Sequence, residues 1–445
     1  MEIHLGCDDY LLSKKNEAHR VTCDYAQLVN AHALVMGKTG MGKTTLLHRF
    51  ISQLARQGVR VHVFDVHGDM DIPGSSSFRF SESAGYGLNP FVLGCDPHFG
   101  GVRKRVQDFI ATIGASNPVG PRQEAVMRHL INDLYAANGF YPEKPASWSL
   151  NDTEGRRYPK RYPSMEDACR FTFAKLKQLV LGSGTQSGKA LEELNAVTSR
   201  IHRLAKLNAA GKGAPTPDDA AKLEKLKSQA IELYTEHVNH LETGRELADF
   251  IRYESKGVLR SVLDRFDNLK ASGIFKESRP PFDPATPVWR YDITALRDDE
   301  KRMFVEFRLQ EIFAASQERG VIAPENGGHL RDIMVVDEAH LFFRDDDNNI
   351  LNTIAKEGRK FGLGLVCASQ SPTHFSEDFF ANVATKVILG IDQMYWDNLV
   401  RKMKVNLKSL EYVQPFRVMG VQMNRKGETK SRFLMVRMPE QNGPL

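Results

Sequence analysis

The 445 residues contain no run approaching the roughly 18–20 consecutive apolar side chains that a membrane-crossing helix needs. The start of the chain, with Asp8 and Asp9, also lacks the apolar stretch of a signal peptide. A soluble, cytoplasmic protein is therefore expected, held at an inner membrane only through partners. Cysteine is scarce: Cys7, Cys23, Cys95, Cys169 and Cys367 are scattered, odd in number and never spaced C-x-x-C. That spacing excludes a disulfide framework and a zinc site, and it suits a reducing compartment. A dominant charge is missing as well. Sixty Lys and Arg stand against 55 Asp and Glu, a net +5 that permits a basic groove without demanding one. Repeats and low-complexity tracts are absent. With 41% hydrophobic and 26% charged residues the chain is an ordinary globular mix, which excludes collagen-like and disordered classes. At about 150 residues per domain it holds two or three units.

Short apolar runs bounded by turn residues occur at 33–36, 59–66, 333–336, 363–368 and 386–391. Their brevity and β-branched content suit strands buried on both faces of a parallel sheet. Helical stretches follow at 43–57 and 350–361, and 288–293 reads as a further strand. Alternation of this kind predicts an α/β core. Between about 102 and 269 the pattern is mainly helical instead. There 165–181, 191–207 and 220–241 predict amphipathic helices, 141–163 an irregular connection, and 211–219 a loop at the tip of a helical pair. The expected domains are 1–101 and 285–445 as two parts of one core, and 102–284 as an all-helical insertion.

The strongest local signal is Gly37-Lys38-Thr39-Gly40-Met41-Gly42-Lys43-Thr44, directly after one apolar run and directly before a helical stretch that opens with Thr45. It satisfies G-x-x-x-x-G-K-[ST] in strand–loop–helix context. Glycines let backbone N–H groups curl around a phosphate, and the helix adds its positive end. Lys43 supplies charge for the β- and γ-phosphates of ATP, and Thr44 a hydroxyl ligand for Mg²⁺. A near-echo, Gly182 to Lys189, fails: its glycine spacing is too long, and Ala190 stands where a hydroxyl is needed. It reads as a flexible loop.

The run 333–336 ends in Asp337-Glu338-Ala339-His340. A strand beside the phosphate loop delivers such acids to the carboxyl edge of the sheet, where open α/β sheets bind ligands. Asp337 is the expected Mg²⁺ residue and Glu338 the base for the attacking water. The acidic run 345–347 reads as a solvated loop. A helicase of the DEAH type is excluded, because no Q-x-x-G-R-x-G-R arginine motif exists.

Two more segments narrow the field: Glu357-Gly358-Arg359-Lys360-Phe361-Gly362 leading to a strand that ends in Ser369-Gln370, and Phe64-Asp65-Val66-His67-Gly68-Asp69 followed by Gly87-Leu88-Asn89-Pro90-Phe91. With both nucleotide motifs they resemble the HerA/FtsK superfamily of hexameric P-loop motor ATPases, in particular HerA-like DNA translocases and conjugative type IV secretion ATPases. The resemblance covers about 28–90 and 288–393. It implies a RecA-like core with a mainly parallel central sheet flanked by helices. It also implies a homo-oligomeric, six-fold ring that moves DNA, with an accessory nuclease, relaxase or secretion-channel protein as partner. Carried over by position, Arg359 is the arginine finger reaching a neighbour's ATP, Gln370 the polar sensor near the γ-phosphate, and Asp65 and His67 line the nucleotide floor. Only 36 residues precede Gly37, so the β-barrel usual in HerA proteins and the membrane helices of coupling proteins are expected to be missing. A secretion-machine ATPase that never grips DNA remains the alternative. The clusters Arg103-Lys104-Arg105 and Arg401, Lys402, Lys404 are the candidate basic contacts, although such a group is more often a solvated face than a DNA grip.

Overall fold

The computed structural model of the chain describes residues 1–151, 159–181, 185–210, 217–240, 252–253, 256–323, 330–344 and 349–439. Two compact units emerge: Met1–Gly101 together with Ser272–Leu445, and Val102–Ala271.

The first unit is built on an eleven-stranded sheet. Its strands are β1 (Glu2–Asp8), β2 (Arg20–Asp24), β3 (Ala33–Met36), β4 (Arg60–Asp65), β5 (Ser76–Arg79), β6 (Val288–Asp292), β7 (Asp332–Val336), β8 (Leu363–Ser369), β9 (Thr385–Ile388), β10 (Val418–Met423) and β11 (Leu434–Arg437). The spatial order is β2-β1-β11-β10-β9-β3-β8-β7-β4-β6-β5. Every pairing from β9 to β5 is parallel. Every pairing from β9 to β2 is antiparallel. The fold is thus α/β, with a mostly parallel sheet flanked by helices, extended by an antiparallel end.

The parallel part follows from its side chains. β3, β7, β8 and β9 are buried along their whole length, which only a sheet covered on both faces allows. On one face the helix Lys43–Arg56 lays down Leu46, Leu47, Phe50, Ile51 and Leu54, a helical stripe packed on Val35, Val61, Val335 and Val366. On β4 and β6, Phe64 stacks on Tyr291 with ring centres 4.9 Å apart. Phe80 meets Phe304 of the helix Asp298–Glu318 at 4.4 Å. Each such buried side chain contributes about 1.5–3 kcal/mol. Parallel register then aligns the strand ends: Met36 pairs with Ser369, Val336 with Cys367, and Phe64 with Val336. The residues just beyond those ends converge on one edge.

Among its described residues the second unit has helices and no strand. The helices are Val102–Ser116, Pro121–Ala137, Met165–Leu181, Thr185–Ala210, Pro217–Asn239 and Lys256–Ala271. Three expectations shift here. The segment 182–189, read as a loop, belongs from Thr185 onward to the helix Thr185–Ala210, and residues 217–219 of the loop expected at 211–219 open the helix Pro217–Asn239; residues 182–184, 211–216 and the acidic run 345–347 lie outside the described residues. The helical unit also ends at Ala271 rather than 284. The residues after it are tied to the first unit: the Lys276 amide donates to the Leu88 carbonyl at 2.9 Å, and Phe282 stacks on Trp289 of β6 at 5.0 Å. No helix among the described residues is long and apolar enough to cross a membrane.

Candidate active site

The phosphate loop leaves β3 and is pinned on both sides before it turns into its helix. The Gly37 amide donates to the Ser369 carbonyl of β8 at 3.1 Å, and the Lys38 amide to Gly390, just past β9, at 2.9 Å. Gly40 and Gly42 take φ of 80° and 94°, a region that L side chains avoid. At Gly42 a Cβ would also press on the Phe416 ring at 3.1 Å. No side chain caps the helix that begins at Lys43, so the N–H groups of its first turn have no protein side chain as acceptor. Lys43 itself is buried; its Nζ donates to the Gly37 carbonyl at 2.9 Å and lies 3.5 Å from Glu338 Oε1. Met41 lines a cavity of about 360 Å³ with Lys38, Trp396 and Pro415, beside the loop.

Facing the loop is the end of β7. Glu338 sits at φ 45°, ψ 46°, left-handed for a residue with a full side chain, a strain of about 1–2 kcal/mol. Its carboxylate is held from several sides. Gln370 Nε2, just past β8, donates to Oε1 at 2.9 Å, His340 Nδ1 lies 3.2 Å from Oε2, and His67 Nε2 lies 3.9 Å from Oε1. Gln370 reaches the other way too, its Oε1 accepting from Thr39 Oγ1 at 3.3 Å.

Burial and neighbours drive the two adjacent acids apart. Burial pushes the Asp337 carboxyl up to about 6, helped by the charges of Glu338 and Asp69. Burial works on Glu338 as well, but His340, Gln370 and Lys43 outweigh it and bring that carboxyl down to about 2. Two titratable neighbours separated in this way are a common signature of divided chemical roles. Oxygen donors from the Thr44 hydroxyl and Asp337 fit a Mg²⁺ ion, a hard cation, and a cation would relieve the crowding of acids that raises Asp337. The His67 nitrogen comes within 4.8 Å of the Asp337 and Glu338 oxygens, but it suits Mg²⁺ poorly.

Most of the sequence-derived residues meet here: Lys38, Thr39 and Lys43 of the loop, Thr44 and Thr45 on the first turn of its helix, Asp337, Glu338 and Gln370. Asp65 is a correction. It is fully buried, and both of its oxygens are committed within the protein. Oδ1 accepts from the His67 and Gly68 amides at 3.2 and 2.7 Å. Oδ2 accepts from the Met70 amide at 3.2 Å and from Arg290 Nε and Nη2 at 2.9 and 2.7 Å. Asp65 therefore shapes the loop after β4 rather than facing a nucleotide. That loop presents Asp69, whose Oδ2 accepts from Thr44 Oγ1 at 2.9 Å. Sequence reasoning passed over Asp69, His340 and Phe416. Only Asp69 left a signal, an acid closing the His67-Gly68-Asp69 turn after a strand.

Arg359 lies elsewhere. It is exposed on a 3₁₀ turn, Gly358–Phe361, that precedes β8; its carbonyl accepts from the Gly362 amide at 3.2 Å, and its side chain makes no hydrogen bond or ion pair with a described residue. The seven residues of β8 separate that turn from Gln370, about 20 Å at the usual rise. The basic clusters also differ from an open patch. Arg105 is buried, Arg103 pairs with Glu143, and Lys402 donates to the Phe375 carbonyl at 2.7 Å.

Fold and site together define the class: a P-loop nucleotide-binding fold with a RecA-like core. The family model for the central domain of helicase HerA matches residues 10–80. The chain is 31% identical over 132 residues to the DNA double-strand break repair helicase HerA of Sulfolobus acidocaldarius, a match covering 27% of this chain and 26% of that protein. It is 25% identical over 176 residues to the protein of the same name from Sulfurisphaera tokodaii, covering 39% and 30%. The chain thus spans about a quarter to a third of these relatives' own length. The solved structure of VirB4 of Thermoanaerobacter pseudethanolicus shares the fold across 98% of this chain and 96% of its own, with a TM-score of 0.61 and 14% identity. Within that class the chain is similar to the central domain of HerA helicases over residues 10–80 and shares its fold with VirB4.

Proposed function

We propose that the protein works as a ring, six-fold in its closed form, and couples ATP hydrolysis to movement of DNA. The observation that carries this reading is the bonded series Thr39–Gln370–Glu338 with Lys43 beside it. It links the phosphate loop to a strand-end amide and to a carboxylate held ionised. In this reading the Gly37–Gly42 backbone and Lys43 bind the β- and γ-phosphates, with Thr45 close behind on the helix. Thr44 and Asp337 would hold Mg²⁺, which supplies charge neutralisation at the phosphates. Glu338 orients the attacking water and takes its proton at a carboxylate oxygen. Gln370 reports whether the γ-phosphate is present, because its amide touches both the loop and the base.

Arg359 completes the site from a neighbouring subunit. It is too far along β8 to serve its own phosphate loop, and it stands exposed with no partner for its guanidinium among the described residues. A head-to-tail contact of this kind repeats until it closes, which is the physical reason to expect a ring. DNA as the cargo follows the HerA relatives, which are named as DNA double-strand break repair helicases.

A second reading has one observation in its favour. The candidate basic contacts for DNA are partly buried or internally paired, as a secretion-machine ATPase that never touches DNA would allow. DNA-stimulated ATPase activity separates the two. A DNA motor should be stimulated, and the stimulation should fall steeply with salt as phosphate contacts release counterions. An ATPase indifferent to DNA at every salt concentration overturns the DNA reading and leaves the second.

A further inference from the structure

A hydroxyl has one proton and two lone pairs. For Thr44 to offer a lone pair to a cation, its proton must go to some acceptor. In this structure the acceptor is not Asp337, the acid at the end of β7, but Asp69 of the loop after β4, at 2.9 Å. A carboxylate in that position fixes the rotation of the hydroxyl and makes its oxygen a more negative ligand, the ordinary work of a group one step behind a metal ligand.

The loop that carries Asp69 is built to hold it there. Asp65 gathers the amides of His67, Gly68 and Met70, so that the chain wraps around one buried carboxylate. Arg290 neutralises that carboxylate and donates to the Gly68 carbonyl at 3.2 Å. Gly68 takes φ of 85°, a turn that a side chain would strain. The loop is then tied to the phosphate-loop helix a second time, because His48 Nε2 lies 3.1 Å from the Asp69 carbonyl oxygen. Thr44 and His48 are one helical turn apart and so share a face. The helix thus holds Asp69 at both its side chain and its backbone.

We propose that Asp69 is a positioning residue for nucleotide binding: it takes the Thr44 proton and so aims the Thr44 oxygen at the Mg²⁺ that accompanies ATP. This rests on the nucleotide reading above and deepens it. It also gives Asp65 and Arg290 a purpose, since they hold Asp69 within reach of Thr44.

The test is binding, not turnover. A fluorescent ATP analogue is titrated into wild type, Asp69→Ala, Asp69→Asn, Thr44→Val and the double variant, at increasing Mg²⁺ and in EDTA. Asp69→Ala should need about 10–100 times more Mg²⁺ to reach half of the metal-dependent gain in affinity, the range usual for loss of such a supporting group. Its affinity in EDTA should match or exceed that of wild type, since one negative charge has left the neighbourhood of the phosphates. A role confined to shaping the loop would lower affinity equally with and without Mg²⁺, and that pattern overturns the proposal. Asp69→Asn should recover part of the Mg²⁺ response, because its amide oxygen still accepts the Thr44 proton. The double variant should be no worse than Thr44→Val alone; additive losses would mean the two residues act separately, and the proposal falls. Asp69 is exposed, so the variants should keep the wild-type unfolding midpoint. If wild type shows the Mg²⁺ response and Asp69→Ala shows the same one, only the role of Asp69 is lost. If wild type binds no analogue at all, the nucleotide reading falls with it.

Discussion

The two ends of β8 are built to opposite specifications. At its carboxyl end Gln370 is bonded to Thr39 on one side and Glu338 on the other, and Ser369 anchors Gly37. At its amino end the Gly358–Phe361 turn holds out Arg359 with no described partner. One end is a closed network of groups from a single chain; the other is a bare cation on a well-anchored base, with Phe361 buried beneath it and ringed by Phe99 and Phe313. In the proposed ring, half of the chemistry would be assembled within a chain and half between chains, and each end can be attacked separately.

The largest effect is expected at the bare end. An arginine finger acts on charge that develops in the transition state, and in P-loop enzymes it is worth about 10³–10⁵ in rate. Arg359→Ala should therefore lose turnover on that scale while ATP affinity stays within a few-fold of wild type. Mixed with Lys43→Ala subunits, which cannot bind the phosphates, it should regain some activity, because some interfaces then pair an intact loop with an intact Arg359. Arg359→Lys should rescue poorly, since an ammonium lacks the planar fork. Wild-type turnover by Arg359→Ala alone would erase the contrast between the two ends.

Next comes the carboxylate at the closed end. Glu338→Gln keeps shape but cannot take a proton, so turnover should fall about 10²–10⁴-fold with ATP still bound. Retained nucleotide after gel filtration is the readout, and normal turnover would remove Glu338 as the base. Gln370→Ala should cost less, about 10²-fold for a lost polar donor, and should uncouple ATP binding from any nucleotide-driven change in oligomeric state. If Gln370→Ala changes neither, the closed network is only scaffolding.

Much of this contrast could be read before any coordinates, and the exceptions have physical causes. β3, β7 and β8 are continuous apolar runs buried on both faces, and the phosphate loop and Asp337-Glu338 follow directly from them. β1, β2, β10 and β11 were passed over because they form the antiparallel end. β1 and β2 interleave polar residues with apolar ones, β11 has four residues with one buried position, and β10, although wholly buried, is interrupted by Gly420 and Gln422, so no long apolar run marks them. Asp65 was misassigned because an acid at a strand end looks the same in sequence whether it faces a ligand or closes a turn. Only the Arg290 guanidinium, 225 residues away in sequence, decides which. Asp69 and His340 enter the site through partners likewise distant along the chain or folded back on it. The helix Thr185–Ala210 begins inside a glycine-containing stretch because Gly188 costs only about 1 kcal/mol in a helix, less than the neighbouring residues return.

The smallest expected effect concerns stability, and it lies under the bare end. His32 precedes β3 at the opposite edge from the phosphate loop, and its ring lies 3.6 Å from the position of a Cβ on Gly358, the residue that opens the Arg359 turn. It is buried, and neither ring nitrogen makes a hydrogen bond to a described residue. Burial alone brings its pKa down to about 4, against an ordinary 6.5. The folded protein therefore keeps the ring neutral where the unfolded chain would take a proton. The resulting stability is complete above pH 6.5, is lost progressively as pH falls towards 4, and changes no further below that. The full loss is about 3 kcal/mol, since one pKa unit is worth about 1.4 kcal/mol. His62, buried 3.5 Å from Asp332 and also brought down to about 4, adds a loss of the same sign, so wild type should soften in acid through both. His32→Leu gives up no hydrogen bond and should remove one share of that loss. The denaturant midpoint between pH 7 and pH 5 should fall less for the variant than for wild type. Hydrogen exchange at pH 5, corrected for intrinsic rates, should show the wild-type loosening at 358–361 before it reaches 37–44. Equal midpoint shifts in the two proteins, or loosening that begins at the phosphate loop, would show that the two ends of β8 share one stability rather than two.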